Sequence, residues 1–187
     1  MSKTFIRELL QATVVLAGAL WAAHASAQPA AFADEDRDWG VAAARQLRTA
    51  DYHAPTPRTI PGGKVVTTLE LKAMLEKEPR PYLIDVLGGG VHRTLSGAFW
   101  MLAGGDGELS RDEEKRFLEA IAKFAGGDKG RPMVFFCVDS QCWLSYNAAL
   151  RAIAAGYTNV MWYRGGIAAW RTAGLPMTQS DPFFWKE

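Results

Sequence analysis

The two cysteines of this chain, Cys137 and Cys142, lie in the stretch FFCVDSQCWLSYNAAL with four residues between them. Cysteine thiolates act as nucleophiles, redox partners and metal ligands, and neighbouring thiols in an oxidising compartment also form structural disulfides. The spacing alone is compatible with a sulfur nucleophile, a redox pair, a metal clip or a small disulfide that holds a loop. The elements around the pair and the compartment of the chain narrow this choice.

Cys137 directly follows the apolar run Met133-Val134-Phe135-Phe136, which is typical of a strand buried on both faces of a parallel sheet. The sequence predicts a turn after it and then a helix over 146–155. Ligands of such sheets bind beyond the carboxyl ends of the strands, and helix N-terminal amides stabilise anions there. This placement favours a thiolate and indicates a reactive sulfur, although inert buried cysteines also occupy strand ends.

From residue 64 onward, strands and helices alternate along the sequence. Two capping boxes, Thr67 with Glu70 and Ser110 with Glu113, predict helix starts, and further helices are predicted over 146–155 and 167–172. Short apolar runs predict the strands, which are 65–66, 82–86, 98–102, 133–136 and 159–162. This alternation predicts α/β architecture, a parallel sheet of about five strands flanked by helices.

The first 27 residues have the pattern of an export signal. Lys3 and Arg7 form a basic head, an apolar run follows over 9–23, and Ala25-Ser26-Ala27 resembles a cleavage site. The apolar run is short for a bilayer crossing. We therefore expect cleavage after Ala27 and a periplasmic product without a membrane span.

Three parts are predicted for the exported chain: an N-terminal extension or linker over 28–63, one domain over 64–178 and a C-terminal tail over 179–187. The extension is expected to hold a short helix around 38–48, before a connector with three prolines and a Gly-Gly pair. Without the signal, 19 basic and 19 acidic residues remain of the 21 and 20 in the full sequence. This balance gives no electrostatic basis for binding nucleic acid.

Several motifs of residues 64–178 resemble a rhodanese domain. Leu83-Ile84-Asp85-Val86 resembles the first aspartate strand of that family, and Leu95-Ser96-Gly97-Ala98 resembles the segment before its third strand. The most specific part is the ending NVMWYRGGIAAWRTAGLP over 159–176. The resemblance implies a rhodanese-like fold and places Cys137 on the persulfide-forming cysteine of the family.

The loop after Cys137 departs from the active members of that family. Those proteins usually surround the cysteine with arginine or other polar groups that hold an anionic sulfur donor, and the related phosphatases need an arginine where this chain has Trp143. Val138, Asp139 and Gln141 supply no cation, and Asp139 would repel an anion. We expect no phosphatase activity, because phosphoryl transfer needs charge compensation, and a weakened activity toward thiosulfate.

A closer resemblance is to the exported PQQ-dependent catabolism-associated CXXCW motif proteins. It is carried by the two cysteines with Trp143 after them, by Gly97-Ala98-Phe99-Trp100 and by Ser145-Tyr146-Asn147-Ala148-Ala149. The resemblance implies a role beside PQQ-dependent alcohol oxidation, with a periplasmic quinoprotein dehydrogenase or a cytochrome as partner and only an indirect link to PQQ. Four residues between the cysteines, where that group has two, depart from thioredoxin-like geometry.

The predicted site has Cys137 and Cys142 as its reacting residues, in thiol-redox or sulfane-sulfur chemistry with Cys142 as the resolving partner. Asp85 is expected to organise loops through hydrogen bonds, and Arg164 to bind an anion or form a surface salt bridge. The other predicted loop residues are Asp139, Ser140, Gln141, Trp143 and Ser145. Five aromatic side chains are expected either in the core or as walls of an apolar pocket over the cysteine, namely Trp100, Trp143, Tyr146, Trp162 and Tyr163.

A metal site is not predicted, because His53 and His92, the histidines that follow the signal, lack metal-ligand spacing with the cysteines. Whether the chain is an enzyme stays open at this stage. Closing the loop between the cysteines contributes about 2 kcal/mol on the chain-entropy model, a plausible structural role. The alternative is therefore a catalytically inactive binding module for a quinoprotein dehydrogenase or its cofactor.

Overall fold

The computed structural model describes residues 32–186, so the predicted signal peptide and its cleavage site lie outside the described residues. None of the described helices is long and apolar enough to cross a membrane. The strands are β1 Lys64–Val66, β2 Tyr82–Asp85, β3 Arg93–Leu95, β4 Phe99–Trp100, β5 Met133–Phe136, β6 Val160–Tyr163 and β7 Met177–Gln179. The helices are α1 Thr68–Leu75, α2 Arg111–Ala125, α3 Trp143–Ala154 and α4 Gly166–Thr172.

The main sheet has five parallel strands in the order β1-β6-β5-β2-β4. Helices α2 and α3 pack on one of its faces, and α1 and α4 pack on the other. The predicted α/β architecture is therefore confirmed. Strand β5, which precedes Cys137, lies at the centre of the sheet.

The apolar run of β5 is explained by its central place. Met133 and Phe135 face the α2 and α3 side, whereas Val134 and Phe136 face the α1 and α4 side. All four side chains are fully buried. Complete burial of one such side chain contributes about 1.5–3 kcal/mol, so this strand anchors both layers.

Both predicted capping boxes are confirmed, and they begin α1 and α2. In the second box, Glu113 accepts hydrogen bonds from the Ser110 backbone and hydroxyl, and these bonds, with one from Lys186, lower the pKa of Glu113 to about 2. Helix α2 ends at Gly126, whose φ of 59° lies in the left-handed region that favours glycine.

The helix predicted around 38–48 is wrong, because this part of the chain is irregular. The Tyr146 hydroxyl donates to the Ala44 carbonyl oxygen over 2.8 Å and accepts from the Ala44 amide over 3.0 Å. The Asn147 side chain bonds both backbone groups of Arg48 in the same way, over 2.7 and 2.9 Å. These two α3 side chains satisfy backbone groups that a helix would have paired internally.

A second, antiparallel pair of strands, β3 with β7, was not predicted from the sequence. Residues 93–95 read as part of the loop after β2, because three residues are too few to show an apolar period. After β7, the chain continues along the main sheet, where Trp100 and Pro182 form an isolated parallel bridge. The C-terminal segment thus lies against the β4 edge.

Candidate functional site

Cys137 follows β5 directly, and Cys142 is the N-cap residue of α3. A disulfide joins the two residues, whose Cα atoms are 6.0 Å apart. Residues 137–142, here called the cysteine loop, therefore form a covalently closed ring at the carboxyl edge of the sheet. Among residues 32–186, no three histidine, cysteine or acidic side chains form a group that could hold a metal ion.

Two polar side chains shape the cysteine loop and its exit. The Asp139 carboxylate accepts a hydrogen bond from the Gln141 amide over 2.9 Å, and the Asp139 carbonyl oxygen accepts from the Cys142 amide over 3.2 Å. The buried Ser145 hydroxyl donates to the Cys142 carbonyl oxygen over 3.2 Å and accepts from the Trp162 indole over 3.0 Å. Asp139 thus uses loop amides that could otherwise hold an anion.

Helix α4 holds the cysteine loop from the side opposite α3. The Ile167 amide donates to the Cys137 carbonyl oxygen over 3.0 Å, and the Ala168 amide donates to the Val138 carbonyl oxygen over 2.8 Å. Gly166 has a φ of 58°, and an added Cβ there would overlap the Cys137 carbonyl oxygen. This close approach gives a physical reason for glycine at this position.

An N-terminal strap, residues 32–60, covers the cysteine loop. The Trp143 amide donates to the Tyr52 carbonyl oxygen over 2.8 Å, and the Ala54 amide donates to the Gln141 carbonyl oxygen over 2.9 Å. The strap is therefore antiparallel to the end of the loop. The first amide of α3, where we expected an anion, already has a protein partner.

Hydrogen bonds that involve side chains also hold the strap against the cysteine loop. The Thr56 hydroxyl donates to the Ser140 carbonyl oxygen, and both residues are buried. The Trp143 indole donates to the Pro55 carbonyl oxygen over 3.2 Å. The exposed His53 imidazole lies 3.8 Å from the Asp139 carboxylate. Ser140 and Trp143 thus contact the strap rather than solvent.

Arg164 binds the strap through hydrogen bonds from its buried guanidinium group. Both roles expected for it, anion binding and a surface salt bridge, are wrong. Its side chain is buried and donates to the Glu35 carbonyl oxygen over 2.7 Å and to the Thr56 carbonyl oxygen over 3.2 Å. A third bond, from Arg164 Nε to the Thr56 hydroxyl, is 3.0 Å long. Burial lowers the pKa of Arg164. The sequence did not show this role, because the acceptors lie more than 100 residues away.

Little of either cysteine is accessible, with exposed fractions of 0% for Cys137 and 4% for Cys142. The sequence indicates a reactive sulfur at the carboxyl edge of the sheet. The structure places the disulfide at that edge and covers the cysteine loop with the strap, which lies within the predicted N-terminal extension or linker over 28–63. Chemistry at this site therefore requires the strap to move.

Asp85, fully buried at the end of β2, organises the next loop. Its carboxylate accepts hydrogen bonds from the Thr94 hydroxyl over 2.6 Å and from the Leu87 amide over 2.9 Å. His92 Nε2 lies 2.8 Å from the same carboxylate, and this hydrogen bond raises the pKa of His92. The sequence indicated His92 only as a candidate metal ligand, and nothing in its local pattern predicts this pairing.

The five aromatic residues expected around the cysteine are core residues, not walls of a pocket. Trp143, Tyr146 and Trp162 pack edge to face with ring centroids 5.0 and 5.1 Å apart. Tyr163 and Trp100 are equally enclosed, and none of the five is more than 5% exposed. Edge-to-face packing of this kind stabilises the part of the core that supports the cysteine loop.

A parallel sheet with covering helices on both faces, and a cysteine pair directly after its central strand, defines an α/β protein with a sulfur site at its carboxyl edge. Residues 67–173 match the family model described as "Rhodanese-like domain". The chain therefore belongs to the rhodanese-like domain family. No curated protein sequence matches the chain.

Three solved structures illustrate the similarity of fold. The rhodanese-like domain of an Anabaena protein is 20% identical, with 64% of this chain and 80% of that chain covered and a TM-score of 0.43. Thiosulfate sulfurtransferase from Pseudomonas aeruginosa is 16% identical, with 64% and 21% covered and a TM-score of 0.46. The polysulfide-sulfur transferase homodimer from Wolinella succinogenes is 17% identical, with 63% and 79% covered and a TM-score of 0.45.

Proposed function

We propose that this rhodanese-like protein carries out thiol–disulfide chemistry with the Cys137–Cys142 pair after export to the periplasm. The observation that carries the proposal is the disulfide itself, which closes the loop directly after the central strand. A clip with a purely structural role would stabilise more by joining segments distant in sequence. This disulfide instead lies at the edge of the sheet where ligands bind in folds of this class.

The proposed reaction transfers two electrons between the pair and a dithiol. A dithiol reduces the disulfide to two cysteine thiols and becomes a disulfide itself, and the reverse reaction oxidises a dithiol partner. Sulfane sulfur is a second substrate class for the same pair. A persulfide on Cys137 would be attacked by the Cys142 thiolate, which forms the disulfide and releases hydrosulfide.

The charges around the loop favour thiol–disulfide exchange over transfer from thiosulfate. The Asp139 side chain is the charged group of the loop, and it is negative. Arg164, the arginine that the sequence indicated as an anion ligand, donates to strap carbonyl oxygens and to the Thr56 hydroxyl. The dianion thiosulfate would be repelled here more strongly than the singly charged thiolate of a dithiol.

The physiological role that we propose is support of PQQ-dependent alcohol oxidation. It rests on the export-signal pattern of residues 1–27 and on the resemblance to the CXXCW motif proteins. The corresponding partner is a periplasmic quinoprotein dehydrogenase or cytochrome. The link to PQQ is indirect, through that partner.

A second candidate function is a non-catalytic binding module with a structural disulfide. The complete burial of Cys137 favours it, because a resting enzyme usually leaves its reacting atom accessible. In this alternative, the outer face of the strap would contact the dehydrogenase or its cofactor.

Two variants, Cys137→Ser and Cys142→Ser, separate these functions. We expect wild type to catalyse disulfide exchange between a dithiol and glutathione disulfide, and both variants to lose this turnover. Thiosulfate:cyanide transfer, measured in parallel, should be low in wild type and absent in Cys137→Ser. Equal exchange rates in all three proteins would contradict the proposed function. A folded wild-type protein without any turnover would also contradict it and would support the non-catalytic binding module instead.

A further inference from the structure

We infer that Cys142 is the sulfur that an incoming thiol attacks, and that strap residues 52–56 form a lid over it. This inference rests on the proposed thiol–disulfide function. It assigns Cys137, the residue that the family resemblance makes the reacting sulfur, to the role of leaving thiolate.

The strap contacts Cys142 and both of its chain neighbours. His53 and Cys142 form an isolated antiparallel bridge. On either side of it, the Gln141 carbonyl oxygen and the Trp143 amide are hydrogen-bonded to the strap backbone. Movement of this short stretch of chain therefore uncovers the Cys142 end of the disulfide first.

Cys137 is enclosed by β5 and α4, which lie outside the proposed lid of residues 52–56. It continues the fully buried strand β5, and its carbonyl oxygen accepts from the Ile167 amide of α4. Gly166 of α4 lies directly against the Cys137 carbonyl. Release of the strap leaves these contacts in place, so an attacking thiolate reaches Cys142 and not Cys137.

The exchange consists of two successive attacks by the thiol groups of the donor. The donor thiolate attacks Cys142 Sγ, a donor–Cys142 disulfide forms, and the bond between the two cysteines breaks. Its electron pair goes to Cys137, which takes a proton from solvent. The second thiol of the donor then attacks the mixed disulfide and releases Cys142, so that the donor is oxidised to its own disulfide and the pair gains two electrons and two protons.

Thr56→Val tests the lid. The variant keeps the side-chain shape and removes the hydroxyl that donates to Ser140 and accepts from Arg164. Loss of these hydrogen bonds should raise the rate of disulfide reduction by dithiothreitol about tenfold. The matched control is Thr158→Val, whose exposed hydroxyl bonds the Lys129 carbonyl oxygen instead, and it should keep the wild-type rate.

Ala54→Pro provides a second lid variant, since it removes the amide that donates to Gln141. This variant replaces Thr56→Val in the experiment if Thr56→Val does not fold. Wild-type reduction rates in the folded lid variants would show that residues 52–56 are not a lid. An increase no larger than the increase in the global unfolding rate would also overturn it.

A trapping experiment tests which sulfur is attacked. Native wild-type protein is mixed with glutathione and quenched with an alkylating reagent, and the adducts are mapped by fragment mass spectra. We expect glutathione on Cys142 and the alkyl group on Cys137. The opposite pattern would overturn the assignment while leaving the proposed function standing. A disulfide that no thiol reduces before the protein unfolds would instead reject the proposed function itself.

Discussion

Asp85 and His92 form a hydrogen-bonded pair of ionisable side chains at the end of β2. The Asp85 carboxylate is fully buried and accepts three hydrogen bonds, one of them from His92 over 2.8 Å. This bond raises the pKa of His92 above its usual 6.5. Protonated His92 therefore contributes stability that is complete below pH 6.5 and is lost as the pH rises through the raised pKa.

His92→Gln should remove this pH dependence, because glutamine keeps a hydrogen-bond donor for Asp85 but does not titrate. We expect the unfolding free energy of wild type to fall as the pH rises above 6.5, and that of the variant to fall less over the same range. Urea unfolding at a series of pH values measures both curves. His53→Gln, at an exposed histidine, is the matched control and should follow wild type. Parallel curves for wild type and His92→Gln would contradict the pairing.

At this scale, the sequence indicates residues whose role follows from a local pattern. The strand-end positions of Cys137 and Asp85 could be predicted, because each follows an apolar run. The role of Arg164 could not, since its acceptors Glu35 and Thr56 come from a segment with no regular structure. A proline-rich connector gives no pattern from which such long-range contacts can be read.

Among the elements, the start of α4 matters most for the geometry of the cysteine loop. Its first amides hold the carbonyl groups of Cys137 and Val138, and its glycine allows the close approach. Helix starts with capping boxes could be predicted from local side chains, as for α1 and α2. The start of α3 has no side-chain cap, and the helix begins at Trp143, three residues before the prediction.

Gly166→Ala should destabilise the protein more than a glycine substitution without a neighbouring group. The left-handed backbone costs about 1 kcal/mol for alanine, and the overlap with the Cys137 carbonyl should raise the loss to about 3 kcal/mol. Gly174→Ala, with a φ of 68° and no atom near its added Cβ, is the matched control and should lose about 1 kcal/mol. Urea unfolding measures both losses. Equal values would show that the contact with the cysteine loop is unimportant.

For the whole molecule, the strap is an integral part of the fold rather than a linker. It supplies Ile60 to the core and fills the space over the cysteine loop. Glu35, near its start, accepts hydrogen bonds from both the amide and the hydroxyl of Thr68 at the beginning of α1. The sheet and its helices could be predicted from alternating apolar patterns, but the path of this segment could not, because it is set by individual tertiary contacts.

Deletion of residues 32–60 should therefore destabilise the remaining domain. Loss of Ile60 and of the partly buried Val41, Leu47 and Tyr52 should cost more than about 3 kcal/mol. Chemical unfolding of this deletion, compared with a chain that begins at residue 32, measures the loss. Equal stability of the two chains would show that the strap only rests on the surface.

The reduction potential of the Cys137–Cys142 disulfide is the most direct test of a working cysteine pair. It is measured on the folded protein by equilibration with thiol–disulfide buffers and counting of free thiols. A working pair predicts a potential above about −300 mV, in the range of thiol–disulfide exchange proteins. A potential below about −300 mV, typical of structural disulfides, would contradict the account and leave a folded scaffold with an inert clip.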